Sequence, residues 1–188
     1  MPFLSNDELE FFGFKKIGSN VKISNKASIY NPELIEIDDN SRIDDFCVLS
    51  GNIKIGKNVH IAVFNNIAGG DPGIYLDDFS GLAYGCHLFA QSDDYSGASL
   101  TNPTVPDNFK FEIKAPIHIG RHVIIGTASI VLPGVTIAEG CAIGAMSMVT
   151  KSTEAWYIYL GTPAKKIKAR KKDLLKLERE YISSGNLE

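Results

Sequence analysis

The stretch LFAQSDDYSG, Leu88 to Gly97, places two adjacent carboxylates, Asp93 and Asp94, beside a tyrosine and a glycine. A carboxylate in such a loop can hold an amine or accept a proton. It can also do no chemistry, because Asp-Asp-Tyr-Ser-Gly is an acceptable turn sequence. The other groups suited to proton transfer are four histidines, His60, His87, His118 and His122. His60 and His87 each precede a regularly spaced aliphatic residue and are expected to point outward, as general-base candidates or as ordinary surface histidines. His118 and His122 read as surface residues. The four do not show the pairing that a three-histidine metal site needs, so no metal is expected.

The elements that must position these residues follow from one periodicity. Aliphatic residues stand at Ile17, Ile23 and Ile29, then at Ile37, Ile43, Leu49, Ile55, Ile61 and Ile67. They continue at Leu76, Leu82 and Leu88, and again at Ile119, Ile125, Val131, Ile137, Ile143 and Val149. A helix repeats its apolar face every three to four residues and a strand every two, so a strict six fits neither. Two positions before most of these aliphatics the residue is small, as at Ser41, Cys47, Cys86, Ser129, Cys141 and Ser147. Alternating large and small inward side chains suit a narrow solenoid in which each rung stacks on the next. With three hexapeptides to a turn, the pattern predicts about six coils. The cysteines all take the small slot and read as core fillers. Glycine or a small polar residue after the aliphatic, as at Gly18, Gly56, Gly120 and Gly126, is expected to serve turns with positive φ.

Composition excludes several classes. At 188 residues the chain suits one domain, and a net charge of −3 gives no basic excess for nucleic acid. No apolar run approaches the roughly 20 residues of a membrane span, and the N-terminus lacks a signal-peptide layout, so a cytoplasmic protein is expected. Three cysteines without a CxxC argue against a disulfide framework and a zinc site.

The rhythm slips at NPEL (Asn31–Leu34) and GGDPG (Gly69–Gly73), and one large insertion runs over residues 89–118. An insertion of that length is expected to be an ordered, functional arm. Residues 1–14 read as a cap helix, with Asn6 as N-cap and Glu8 or Glu10 in its first turn. Residues 15–152 are the solenoid. Residues 153–188 read as a turn and a helix starting at Pro163, with Ile167, Leu174, Leu175, Leu177 and Tyr181 as its apolar face, closing the open end. The last residues, SSGNLE, are expected to fray.

The stretch IGRHVIIGTASIVLPGVTIAEGCAIGAMSMVTKS resembles the signature of the hexapeptide-repeat acyltransferases, in particular the galactoside, maltose and xenobiotic acetyltransferases and their relatives in O-antigen loci. The resemblance covers residues from about 15 to 170. It implies an all-β solenoid, a left-handed parallel β-helix with a projecting loop arm and a C-terminal α-helix. It also implies acetyl-CoA as acyl donor with no metal, and a homotrimer with each active site between two subunits. The usual base of the family is a histidine just before the arm, in a stretch of the form HIYTATHP; this sequence has HLFAQSDD, with Asp93 at the histidine's position. An ordinary aspartate, with a pKa near 3.9, is a poor base toward a sugar hydroxyl, whereas an amine is a better nucleophile and needs less help.

The substitution therefore favours N-acetylation of a nucleotide-linked amino-dideoxysugar, as in O-antigen synthesis, with Asp93 as the main catalytic candidate and Asp94, His87 and His60 beside it. Carried over from the family, Thr127, Ala145, Thr150, Lys165 and Lys168 would bind coenzyme A. Asn65, Asn66 and Asp71 would contact the acceptor. Sugar O-acetylation is the alternative activity, and a non-catalytic scaffold the alternative class.

Overall fold

The computed structural model describes residues 2–184. Its aliphatic residues form three columns inside a triangular parallel β-solenoid. Ile17, Ile37, Ile55, Leu76, Ile119 and Ile137 are successive strand partners on the first face. Ile23, Ile43, Ile61, Leu82, Ile125 and Ile143 line the second. Ile29, Leu49, Ile67, Leu88, Val131 and Val149 line the third. These make six coils, and strand Tyr157–Leu160 continues the second face into a seventh, with Tyr159 on Ile143. A single coil has no interior of its own, so stability comes from stacking, at about 1.5–3 kcal/mol for each fully buried aliphatic side chain.

The small inward residues do more than leave room. Ser41 Oγ donates to Gly56 O at 2.7 Å, and Ser129 Oγ to Gly144 O at 3.0 Å, each bonding a carbonyl of the next coil. Cys47 Sγ takes the same role toward Ala62 O and Cys86 Sγ toward Gly126 O. All three cysteines are free and buried, and burial pushes the Cys47 thiol up to about 11. All three thiols serve packing inside the coil.

The glycines that follow the aliphatics correct one expectation. Gly18, Gly56, Gly120 and Gly126 do not have positive φ; a Cβ on Gly126 would meet Ala145 N at 2.5 Å, and one on Gly120 would meet Glu139 N at 2.7 Å. Glycine is needed there because the backbone of the next coil passes too close. The left-handed residue stands three before the next aliphatic instead, at Asn20, Asn40 and Asn58 on one corner and at Phe46, Phe64 and Met146 on another.

The breaks in the six-residue rhythm gather on one edge, between the third and first faces. The 3-10 turn Pro32–Leu34 is there, as are the bulged bends within strands Val48–Ile55 and Asn66–Leu76. The arm leaves from the same edge on an antiparallel ribbon, Gln91–Asp93 with Glu112–Lys114, and the chain rejoins the first face at Ile117.

Both ends differ in detail from the expectations. Helix α1 spans Asn6–Phe12 and is capped by Ser5, one residue earlier than Asn6, in a capping box with Glu8. At the other end no helix starts at Pro163. The Thr162–Pro163 peptide is cis, and Lys165–Ala169 pairs antiparallel with Tyr157–Leu160. The last rung is a sheet edge with unpaired backbone groups, and a lysine-rich partner strand covers it. Helix α2, Leu174–Ser183, therefore does not close the end. It lies along a corner of the coil, through Glu178 to Arg121 and His122 and through Tyr181 Oη to Asn58 Oδ1. Ile167 belongs to the hairpin and is exposed. Of the terminal SSGNLE, residues 185–188 lie outside the described residues.

Candidate active site

The arm overhangs the third face and encloses a cleft of about 810 Å³. Its floor is Ile130, Leu132, Met148 and Thr150 from the last two coils, and Phe89 forms a side wall. Gln91, Ser92, Asp93, Glu112 and Ile113 come from the arm's ribbon, and Tyr95 and Pro103 from its loop. Strand alternation builds the floor: Val131 and Val149 point into the coil, so Ile130 and Met148, which are register partners, point out.

Asp93 lines the cleft, half-buried, and its Oδ1 accepts the Asn102 amide at 3.3 Å. Its cross-strand partner is Glu112. Like charges placed directly opposite are unfavourable, and Glu112 is compensated by Lys114 at 3.1 Å and Lys110 at 3.5 Å. The Lys114 ammonium, with Lys110, holds the Glu112 carboxyl below its ordinary range. Asp94 does not line the cleft. Its carboxylate accepts Ser96 N at 2.8 Å, Ser99 N at 3.1 Å and Ser99 Oγ at 3.2 Å, and the Ser96 and Ser99 bonds lower its pKa. Of the two adjacent aspartates, then, one faces the cleft and the other ties the loop.

The remaining sequence candidates separate by face. His87 lies between Asn66 and Ile130 in the outward column of the third face, with its ring stacked on Phe89 at 5.8 Å. Asn66 and His87 thus continue the floor toward the N-terminal coils. Asp71 is exposed on the GGDPG bulge, which abuts Gln91 of the ribbon. Thr150 is part of the floor, and Thr127 and Ala145 are exposed at the corner between the second and third faces. Lys165 and Lys168 are exposed on the terminal hairpin, which is tied to the floor by the Ala164 amide donating to Met148 O.

His60 and Asn65 stand apart from this group. His60 is on the second face, with Nε2 2.9 Å from Asp44 Oδ2. Asn65 is buried inside the coil, its Nδ2 donating to Ala62 O and Ala83 O and its Oδ1 accepting Cys86 N. Its amide is fully engaged in holding two coils together.

Two residues expected at the surface behave differently. His118 projects from the first face and stacks on Tyr75 at 4.8 Å. His122 is buried rather than exposed, sandwiched by Phe79 and Trp156 and bonded to Glu178 Oε2 at 3.0 Å. Burial, and then the neighbouring Arg121 charge, lower its pKa. Among the described residues no group of three His, Cys, Asp or Glu could hold a metal ion.

The sequence reading missed Glu112 and the apolar floor. The floor had a signal. Outward positions beside the repeat aliphatics are usually charged or polar, as at Lys16, Lys22, Glu36, Arg42 and Lys54, but after the arm they become Ile130 and Met148.

Residues 116–151 match the family model described as bacterial transferase hexapeptide (six repeats). Over 188 residues the chain is 43% identical to the dTDP-4-amino-4,6-dideoxy-D-glucose acyltransferase of Escherichia coli, covering 98% of this chain and 97% of that one. The chain belongs to the hexapeptide-repeat acyltransferases. Two structures of AntD, an N-acyltransferase from Bacillus cereus, superpose closely on it. One, in complex with dTDP-4-amino-4,6-dideoxyglucose and Coenzyme A, gives a TM-score of 0.95 at 49% identity, covering 97% of this chain and 98% of that one. The other, in complex with dTDP and 3-hydroxybutyryl-CoA, gives 0.95 at 48%, covering 98% of each. In this hexapeptide-repeat acyltransferase the matched repeats are the last coils, those that supply the cleft floor.

Proposed function

We propose that the protein transfers an acyl group from a coenzyme A thioester to the amino group of a nucleotide-linked amino-dideoxysugar such as dTDP-4-amino-4,6-dideoxyglucose. The product would serve surface-polysaccharide synthesis. The observation that carries this reading is a cleft presenting Asp93 where a histidine would suit a hydroxyl acceptor, in a chain close to N-acyltransferases over its whole length.

In this reading Asp93 binds the acceptor's ammonium form and takes up its proton, leaving a free amine. The amine nitrogen attacks the thioester carbonyl, forming the C–N bond. The tetrahedral intermediate then expels the thiolate with its bonding electron pair. The thiolate takes a proton and the second nitrogen proton passes to solvent, leaving an amide and free coenzyme A. Asp93 supplies position and charge for this sequence, and no acyl-enzyme forms.

Thr127, Ala145, Thr150, Lys165 and Lys168 are proposed to hold coenzyme A, with the lysines at its phosphates and acetyl-CoA the smallest donor. Asn66 and Asp71 are proposed to meet the acceptor. A homotrimer is proposed as the working assembly. The corner residues Phe46, Phe64 and Met146 are exposed by 51%, 59% and 74%, an apolar strip suited to a second copy. No described helix is long and apolar enough to cross a membrane, and coenzyme A and nucleotide-sugar substrates fit a cytoplasmic enzyme. His87, adjoining Ile130, is the observation that favours O-acylation as a second reading. A thiol-release assay on paired amino and hydroxyl acceptors tests the two: release with hydroxyl acceptors alone would overturn the first.

A further inference from the structure

The returning strand of the ribbon alternates in charge. In KFEIK, Lys110 to Lys114, a lysine stands two residues to either side of Glu112, and Glu112 lies directly across from Asp93. Both ammonium groups rest on Glu112, that of Lys114 at 3.1 Å and that of Lys110 at 3.5 Å. Among the described residues neither forms an ion pair with Asp93. We infer that Glu112 is a positioning residue for the reaction: it holds the two lysines off Asp93 and so keeps that carboxylate open to the acceptor's ammonium group. This rests on the reading of Asp93 above and concerns what keeps Asp93 usable.

Ribbon geometry sets up the competition. Directly opposed residues of an antiparallel pair have Cβ atoms about 5 Å apart, and diagonal neighbours stay within reach of a long side chain. Lys114 is the partner of Gln91, two residues from Asp93 on the same strand, which makes it the diagonal neighbour of Asp93. Its ammonium sits on a flexible stem and can turn to either carboxylate. The lysines have few other partners. The Lys110 side chain is only 8% exposed, and a buried ammonium needs a carboxylate; Asp107, at 3.1 Å, is its second one. Lys114 is bonded to Glu112 alone, while Asp71 and Asp107 attract it from farther off. Asp94 is taken up by Ser96 and Ser99. Without the charge on Glu112, Asp93 is the carboxylate left on the ribbon for Lys114. An acceptor that arrives as an ammonium ion would then meet a lysine already in its place.

The test is steady-state thiol release with acetyl-CoA and dTDP-4-amino-4,6-dideoxyglucose. Glu112→Gln keeps the size of the side chain and removes its charge. It should raise KM for the amino sugar about fivefold, the worth of one partly exposed ion pair turned on Asp93. KM for acetyl-CoA and kcat should stay as they are. Adding Lys114→Met to Glu112→Gln should bring KM for the amino sugar to within about twofold of Lys114→Met alone, a coupling that loss of a purely structural contact does not produce. Values are compared only between proteins of unchanged melting temperature. If Glu112→Gln alone melts early, the double variant set against Lys114→Met carries the test. An unchanged KM in Glu112→Gln overturns the inference. So does a rise that persists in full in the Lys114→Met background, which would mean that Glu112 touches the acceptor itself. Near-normal turnover by Asp93→Asn would overturn the reading of Asp93 and this inference with it. A slow Asp93→Asn beside a normal Glu112→Gln leaves that reading standing and removes only the role given to Glu112.

Discussion

Asp93 and Glu112 are direct partners across the ribbon that carries the arm, and both line the cleft. Their equivalence ends there. Glu112 is bonded to two lysines, whereas Asp93 accepts a backbone amide. In the proposed mechanism Asp93 is accordingly the carboxylate that meets the incoming amine.

Asp93→Asn keeps the shape and the acceptor oxygen but removes the charge. It should lower kcat/KM for the amino-sugar acceptor by about 100-fold, at the low end of general acid–base contributions, with no loss of melting temperature. Steady-state thiol release and a thermal melt check both. Near-normal turnover would remove Asp93 from the mechanism.

The neighbouring aspartate should behave otherwise. Asp94→Ala frees the amides of Ser96 and Ser99, so the loop of residues 94–111 should exchange amide hydrogen faster. KM should rise while kcat falls less than in Asp93→Asn. A fall in kcat matching that of Asp93→Asn would show that Asp94 also takes part in the chemistry.

Gly126→Ala tests the close approach of the coils. A Cβ there meets Ala145 N at 2.5 Å, on backbone that a side-chain rotation cannot relieve. A loss of about 2 kcal/mol or more is expected in denaturant unfolding, well beyond that of an exposed surface substitution. An unchanged midpoint would mean the coils separate more easily than their packing implies.

The clamp of α2 should give stability a dependence on mildly acid pH. Burial lowers the His122 pKa below its unfolded value near 6.5. Below that value the unfolded chain binds more protons than the native one, so this group's contribution is fully present above pH 6.5 and is lost as pH falls toward its folded value. His122→Asn, the residue found at the same left-handed corner at Asn40 and Asn58, should flatten that slope in unfolding measured from pH 7 to 5. An unaltered slope would assign it to other groups.

Much of this molecule is legible in its sequence because the solenoid is local. Each repeat aliphatic need only find the one above it, and all three columns were readable from Ile17 to Val149. The arm was legible as the place where the rhythm breaks, and Asp93 as a residue within it. What remained hidden depends on contacts between distant segments. Glu112 meets Asp93 only after the ribbon pairs, and His122 is buried among segments far apart in the chain, Phe79, Trp156 and Glu178. Asn65 was misread because an amide in the small slot can bond turns above and below as well as a serine does. The glycines were misread because close backbone approach and positive φ select the same residue type. Pro163 suits the start of a helix as well as a turn, and the uncovered sheet edge decides between them.

The most direct measurement is thiol release from an acyl-CoA with dTDP-4-amino-4,6-dideoxyglucose set against the matching sugar bearing a 4-hydroxyl. Selective release with the amine, accompanied by an N-acylated product in the mass spectrum, is the predicted result. Equal release with the hydroxyl sugar, or an O-acylated product, would contradict the assignment of Asp93 to an amine acceptor.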